Sequence, residues 1–285
     1  MRFLVAECEP PEARERRRES VGRSSGETYL AVLHKLAPGA ECDRLKPTDS
    51  RAEIPSRETL TGYDAVFLTG SPLHLWQDSP EARRQIDFMH RVFASGTPSF
   101  GSCAGLQVAC VAAGGKVRSM GKRREAGFAR RLAATEAGRS HPLLAGRPPS
   151  YDAPAIHTDE VEQLPEGATL LAGNRVTAVQ AAEIRCGEGV FWGVQYHPEI
   201  SLREVAAALR RQASDLLECG LARTEADIDG LAAQVDALHE EPERADLAWR
   251  LGLDDQVTDP GQRTRELRNF IEHLVRPTRL RRGRG

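Results

Sequence analysis

The sequence holds no apolar run approaching the roughly 20 residues a helix needs to cross a membrane. Its opening residues, Met1 to Glu9, turn acidic too soon for a signal peptide, so a cytoplasmic chain is expected. Neither sign of charge dominates: 39 Lys and Arg stand against 41 Asp and Glu, a formal charge of −2. That balance argues against a general nucleic-acid binder, whose affinity comes from neutralising phosphates. Arg276, Arg279, Arg281, Arg282 and Arg284 are a local exception and read as a frayed, solvated end. The six cysteines show no CxxC pair or regular spacing, so neither a zinc site nor a disulfide framework is expected. No GxxxxGK[ST] phosphate loop occurs, and no metal or cofactor is expected.

What is present is an ordinary globular mix, 40% hydrophobic and 28% charged, which sets aside disorder and collagen-like structure. At 285 residues the chain is long for one average domain and short for two. Short apolar runs at 3–6, 65–68, 97–100 and 190–196 read as buried strands. Between them, 28–36, 80–93 and 106–113 carry apolar residues at helical spacing. Strands alternating with helices predict a mostly parallel sheet covered on both faces, with reactive groups at the carboxyl ends of the strands. Residues 125–183, rich in Gly, Pro and short β-like runs, read as strands and loops. From Leu202 onward the pattern is helical. Gly220 reads as a C-cap, Thr224 to Asp227 as a capping box, and Asp259-Pro260 as the start of a last helix.

Cys103 sits where a strand breaks into a helix, flanked by Gly101 and Gly105. Small neighbours permit a strained turn that thrusts the side chain out toward the helix N-terminus, where a thiolate is stabilised. His197-Pro198-Glu199, if extended, puts His197 and Glu199 on one side, so that Glu199 can orient the imidazole toward a thiol. A rival reading takes His157-Thr158-Asp159 and His197-Pro198-Glu199 as metal ligands, but it leaves the cysteine elbow unexplained.

Gly101-Ser-Cys103-Ala-Gly105-Leu-Gln107 resembles the first signature of class I, triad-type glutamine amidotransferases, and Gly193-Val-Gln195-Tyr-His197-Pro-Glu199 resembles the second. Leu68-Thr-Gly70-Ser71-Pro72 is similar to their oxyanion loop, with Ser71 where a second glycine is usual. Ala155-Ile-His157-Thr-Asp159 is similar to the substrate-proximal segment of the GMP synthase branch. The nearest likeness is to free-standing GMP synthase-like glutamine amidotransferase domains, over residues 1 to about 204.

The resemblance implies a flavodoxin-like, three-layer α/β sandwich for residues 1–204, followed by a helical extension, 205–285. It implies Cys103, His197 and Glu199 as a catalytic triad, and the backbone N–H groups of Ser71 and Ala104 as the oxyanion hole. Gly70, Gln107, His157, Thr158 and Asp159 would contact the substrate. The implied reaction is hydrolysis of glutamine to glutamate and ammonia through a thioester, the ammonia passing to a synthetase partner or being lost. A γ-glutamyl hydrolase and a non-catalytic regulatory module are the alternatives. The 80 or so residues after the α/β part are too few for the ATP-using domain of a complete GMP synthetase. Those helices are expected to pack on the α/β body, with Trp249, Leu251 and Leu253 as anchors, or else to dimerise or dock a partner.

Overall fold

The computed structural model describes residues 1–284. The first half alternates strand and helix: β1 (Arg2–Ala6), α1 (Pro11–Val21), α2 (Ser25–Leu36), β2 (Glu41–Leu45), α3 (Arg57–Thr61), β3 (Ala65–Leu68), α4 (Pro80–Ser95), β4 (Ser99–Ser102) and α5 (Ala104–Ala112). Then come β5 (Lys116–Ser119), β6 (Glu125–Ala134), α6 (Glu136–Ser140), β7 (Ser150–His157), β8 (Asp159–Gln163), β9 (Ala168–Gly173), β10 (Ala181–Cys186) and β11 (Gly189–Val194). Helices finish the chain: α7 (Leu202–Arg211), α8 (Ala213–Glu218), α9 (Glu225–Glu240), α10 (Ala245–Leu251), α11 (Asp255–Thr258), α12 (Pro260–Arg263), α13 (Arg265–Phe270), a π-helical turn (Ile271–Val275) and α14 (Arg276–Arg281).

Nine strands form one sheet in the order β2-β1-β3-β4-β11-β10-β9-β6-β7. The half from β2 to β11 is parallel and the remainder antiparallel. Alternation along β1 shows why both faces need cover. Phe3 and Val5 face a core with Tyr29 and Leu33 of α2, while Leu4 and Ala6 face Phe88, Met89 and Val92 of α4. The result is a three-layer α/β fold of flavodoxin-like topology, and its parallel strands end together near Glu7, Thr69, Cys103 and Gln195.

The last helices belong to that core. Phe270 is fully buried, edge-on to Phe67 with ring centroids 5.4 Å apart and 5.5 Å from Phe100. Burying one such side chain is worth about 1.5–3 kcal/mol. A further cluster joins α7, α9 and α10 through Val205, Leu209, Ile228, Val235 and Leu247. Thr224 caps α9 in a reciprocal box with Asp227. Asp259 caps α12 and Gly220 takes φ 72°. Leu251 and Leu253 are buried, as expected, but Trp249 is 79% exposed. It is no anchor, because its place on α10 points away from the face that Leu247 and Leu251 bury. The stripe from Leu202 to Leu217 is two helices rather than one, broken at Gln212.

The arginine-rich end is not frayed. Arg279 Nε and Arg284 Nη1 lie 3.5 and 3.6 Å from the buried Asp64 carboxylate, and Arg284 Nη2 donates to the Thr61 carbonyl at 2.6 Å. A buried carboxylate favours ordered cations beside it, which composition alone does not reveal. Among the described residues no helix is long and apolar enough to cross a membrane.

Candidate active site

Cys103 occupies the turn from β4 into α5 with φ 54° and ψ −111°, a strained conformation for a residue with a Cβ. The turn is pinned by the Cys103 N–H bonding the Val194 carbonyl at 2.8 Å. It also depends on glycine on either side. A Cβ on Gly101 would lie 2.7 Å from the Gly105 carbonyl carbon, and one on Gly105 would lie 2.6 Å from the Leu68 oxygen. The elbow read from sequence is therefore real, and its cause is close backbone packing of β3, β4 and α5.

His197 and Glu199 follow the end of β11. The Nδ1–H of His197 donates to Glu199 Oε1 at 2.7 Å, and the ring lines the same cavity as Cys103, whose Sγ lies 3.8 Å from the Ile156 carbonyl. Burial alone would lower the imidazole pKa. The Glu199 charge and the contact with Cys103 outweigh it and push the value up to about 10. Glu199 is itself held in place: Ser102 Oγ donates to the same Oε1 at 3.0 Å, and Tyr29 OH lies 2.7 Å from Ser102 Oγ. With Ser102 donating to Glu199, Tyr29 donates to Ser102. Neither Ser102 nor Tyr29 is expected from sequence. Ser102's place beside the elbow, one residue before Cys103, is the signal that could have found it.

Of the two donors expected for an oxyanion, Ser71 lines the cavity beside Cys103, and Ala104 follows Cys103 in the chain. Ala104 is the first residue of α5, so its N–H has no helical acceptor. Ser71 begins the loop after β3, where its Oγ accepts from the Leu73 N–H at 3.1 Å. Cys103, Gly70, Ser71, Gln107, Thr158 and Asp159 all line a cavity of about 350 Å³.

The expected substrate contacts are drawn into internal bonds to different degrees. The Gln107 amide nitrogen donates to the Asp159 carbonyl at 3.1 Å and to Gln195 Oε1 at 3.2 Å. The His157 ring is 1% exposed, with Nε2 2.8 Å from Glu125 Oε2 and Nδ1 2.9 Å from the Asp159 carbonyl. Both nitrogens lie at hydrogen-bond distance from protein oxygens, so the ring is taken up by internal contacts. Gln180 and Asn174 also donate to Glu125, each at 2.6 Å. Asp159 Oδ2 meets His74 Nδ1 at 2.7 Å, bridging the loop after β3 to β8.

Comparisons with known proteins identify the family and the fold. The family model described as "Glutamine amidotransferase class-I" matches residues 28–214. Over 224 residues the chain is 38% identical to a γ-glutamyl-L-1-hydroxyisopropylamide hydrolase from a Pseudomonas species, covering 77% of this chain and 75% of that one. It is 31% identical over 149 residues to a subunit of the glutamine-hydrolysing GMP synthase of Methanoculleus marisnigri, covering 52% of this chain and 72% of that one. The chain spans only 27–36% of the length of the longer GMP synthases of Leifsonia xyli and Thiobacillus denitrificans. The fold matches a crystal structure of a glutamine amidotransferase from Thermotoga maritima with a TM-score of 0.60 at 17% identity, over 96% of this chain and 98% of that one. The chain belongs to the class I glutamine amidotransferases, as an enzyme related to the glutaminase components of GMP synthases.

Proposed function

We propose that the protein hydrolyses a γ-glutamyl amide bond through a thioester on Cys103, glutamine being the parent of the substrate class. The observation that carries this reading is the 2.7 Å bond from His197 Nδ1 to Glu199 in a cavity that Cys103 also lines from a strained elbow. The Cys103 thiolate attacks the amide carbon, and the tetrahedral oxyanion accepts from the Ser71 and Ala104 N–H groups. Losing one such donor costs about 2.7–4 kcal/mol of barrier. The C–N bond then breaks as His197 gives its proton to the departing amine. Water, deprotonated by the now neutral imidazole, attacks the thioester, releasing glutamate and returning the sulfur to Cys103.

Gly70, Gln107, Thr158 and Asp159 hold the γ-glutamyl half, and His157, through Glu125, braces the segment carrying them. The 1–204 part carries the chemistry, and 205–285 is a helical extension covering it. Likeness to a γ-glutamyl amide hydrolase over three quarters of both chains supports hydrolysis as an end in itself. A second reading, with ammonia passed to a synthetase partner, is supported by likeness to a free-standing component of a GMP synthase.

The test is turnover of glutamine and of γ-glutamyl amides, followed as glutamate release, with Cys103→Ala alongside. Glutamate release that disappears in the variant is expected, and release that survives it would remove Cys103 from the mechanism. Stimulation of glutamine turnover by a copurifying synthetase would favour the second reading.

A further inference from the structure

The cavity that holds Cys103 has one wall the proposed reaction does not use. Arg16 and Arg17 of α1 and Arg211 at the end of α7 all line it, beside Glu9, Gln212 and Asp215. Compensation by carboxylates is incomplete. Arg17 reaches Glu204 at 3.0 Å through one terminal nitrogen, and its Nε is buried without a partner. Arg211 is bonded to the Ser20 hydroxyl at 2.8 Å. Among the described residues neither Arg16 nor Arg211 has a carboxylate within ion-pair distance. Of the two acids nearby, Glu9 faces Arg17 and Arg211 while accepting from the Ser25 N–H at 3.2 Å, and Asp215 lies 3.5 Å from Arg124. Partial loss of hydration, with Arg17 and Arg16 close by and Glu9 only partly offsetting them, holds the pKa of the surface-exposed Arg211 below its ordinary value. Three guanidinium groups thus share one cavity with Glu9, and only Arg17 has a carboxylate, Glu204, at ion-pair distance.

A guanidinium fork fits a planar carboxylate through paired hydrogen bonds. Which carboxylate it reads follows from where the arginines lie. The γ-glutamyl half is common to all substrates of this reaction, and the residues assigned to it fall within the family match, residues 28–214. Helix α1, residues 11–21, lies ahead of that stretch, while Arg211 lies near its end. Arg16 and Arg17 of α1 line the same cavity as the Ser71–His74 and Thr158–Asp159 segments but are not among the residues assigned to the γ-glutamyl half, which leaves them for the amine half of the substrate. We propose that Arg16, Arg17 and Arg211 form a carboxylate subsite for the amine half of the substrate, so that γ-glutamyl amino acids are preferred to glutamine. This rests on the reading of Cys103 as nucleophile toward a γ-glutamyl amide.

Binding to the full-length Cys103→Ala protein tests the subsite without turnover. Calorimetry would compare γ-glutamyl-L-alanine with γ-glutamyl-L-alaninol, which has a hydroxymethyl group where the dipeptide has its carboxylate. The dipeptide is expected to bind about tenfold to a hundredfold more tightly, the worth of a charge-assisted bond. Adding Arg16→Gln or Arg211→Gln to that protein should narrow the ratio between the two ligands. Equal binding of both ligands would overturn the proposal. So would an equal loss for both in the arginine variants, which would assign these side chains to the γ-glutamyl carboxylate instead. A wild-type protein that cleaves none of these amides would overturn the hydrolase reading, a result distinct from either binding outcome.

Discussion

Gly70 and His197 touch so closely that a Cβ on Gly70 would lie 2.6 Å from the Cε1 of the imidazole. The loop after β3 and the histidine are thus one packed unit, and the glycine's absent side chain is what leaves room for the ring. Gly70→Ala is expected to push the ring aside and lower turnover by about a hundredfold, the usual effect of a misplacement near 1 Å. The circular dichroism spectrum and melting temperature should be nearly unchanged. Wild-type turnover in this variant would mean that the ring position is not critical.

The strain at Cys103 can be measured directly. With φ at 54°, the position suits glycine better than any residue bearing a Cβ. Both Cys103→Ala and Cys103→Gly should be inactive, but the glycine variant should be more stable than the alanine variant by about 1–3 kcal/mol. Urea unfolding of the pair checks this, and a less stable glycine variant would mean that the turn stores no strain.

The pH response should follow His197, whose pKa rises from 6.5 to about 10 against burial, chiefly through the Glu199 charge. Because the folded value is the higher one, the stabilisation is complete below about pH 6.5 and is lost as pH rises through about 10. The alkaline limb of kcat/KM, where the imidazolium proton is lost, is expected near that upper value. Glu199→Gln should move the limb toward neutrality and flatten the alkaline loss of stability. An unmoved limb would show that Glu199 does not hold the proton there.

Arg147 and Glu266 form a fork-to-fork pair, 2.7 Å at both contacts and essentially unexposed. Tyr196, the residue before His197, donates to Glu266 at 2.9 Å. Removing one charge strands the other in the core, so Glu266→Gln should cost about 3–5 kcal/mol. Replacing both, as Arg147→Met with Glu266→Leu, should restore most of that. Denaturant midpoints of the three proteins decide it, and equal loss in the single and double variants would count against stranded charge as the cause.

Much of the fold is readable because each element carries its own signal. Phe3 to Ala6 and Ala65 to Leu68 are continuous apolar runs, and Thr224 to Asp227 is a local cap. The strand-to-helix break at Cys103 is announced by its own glycines. Helix α1 leaves almost no such trace, since only Ala13 and Arg14 are buried along it and it reads as a merely charged stretch. Trp249 misleads for the opposite reason. Size and hydrophobicity suggest burial, but the turn of α10 that faces the core is fixed by Leu247 and Leu251.

By itself the sequence determined the family and where the strand-to-helix break falls, because Gly101–Gln107 and Gly193–Glu199 are contiguous segments that carry their own pattern. Only the tertiary structure decided what surrounds it. The crossovers of the chain bring Arg16, Arg17 and Arg211 to one wall, spend the His157 ring on Glu125, and fold the terminal arginines onto Asp64. Charge acts through space and periodicity acts along the chain, so partners far apart in sequence leave no pattern until the sheet has placed them side by side.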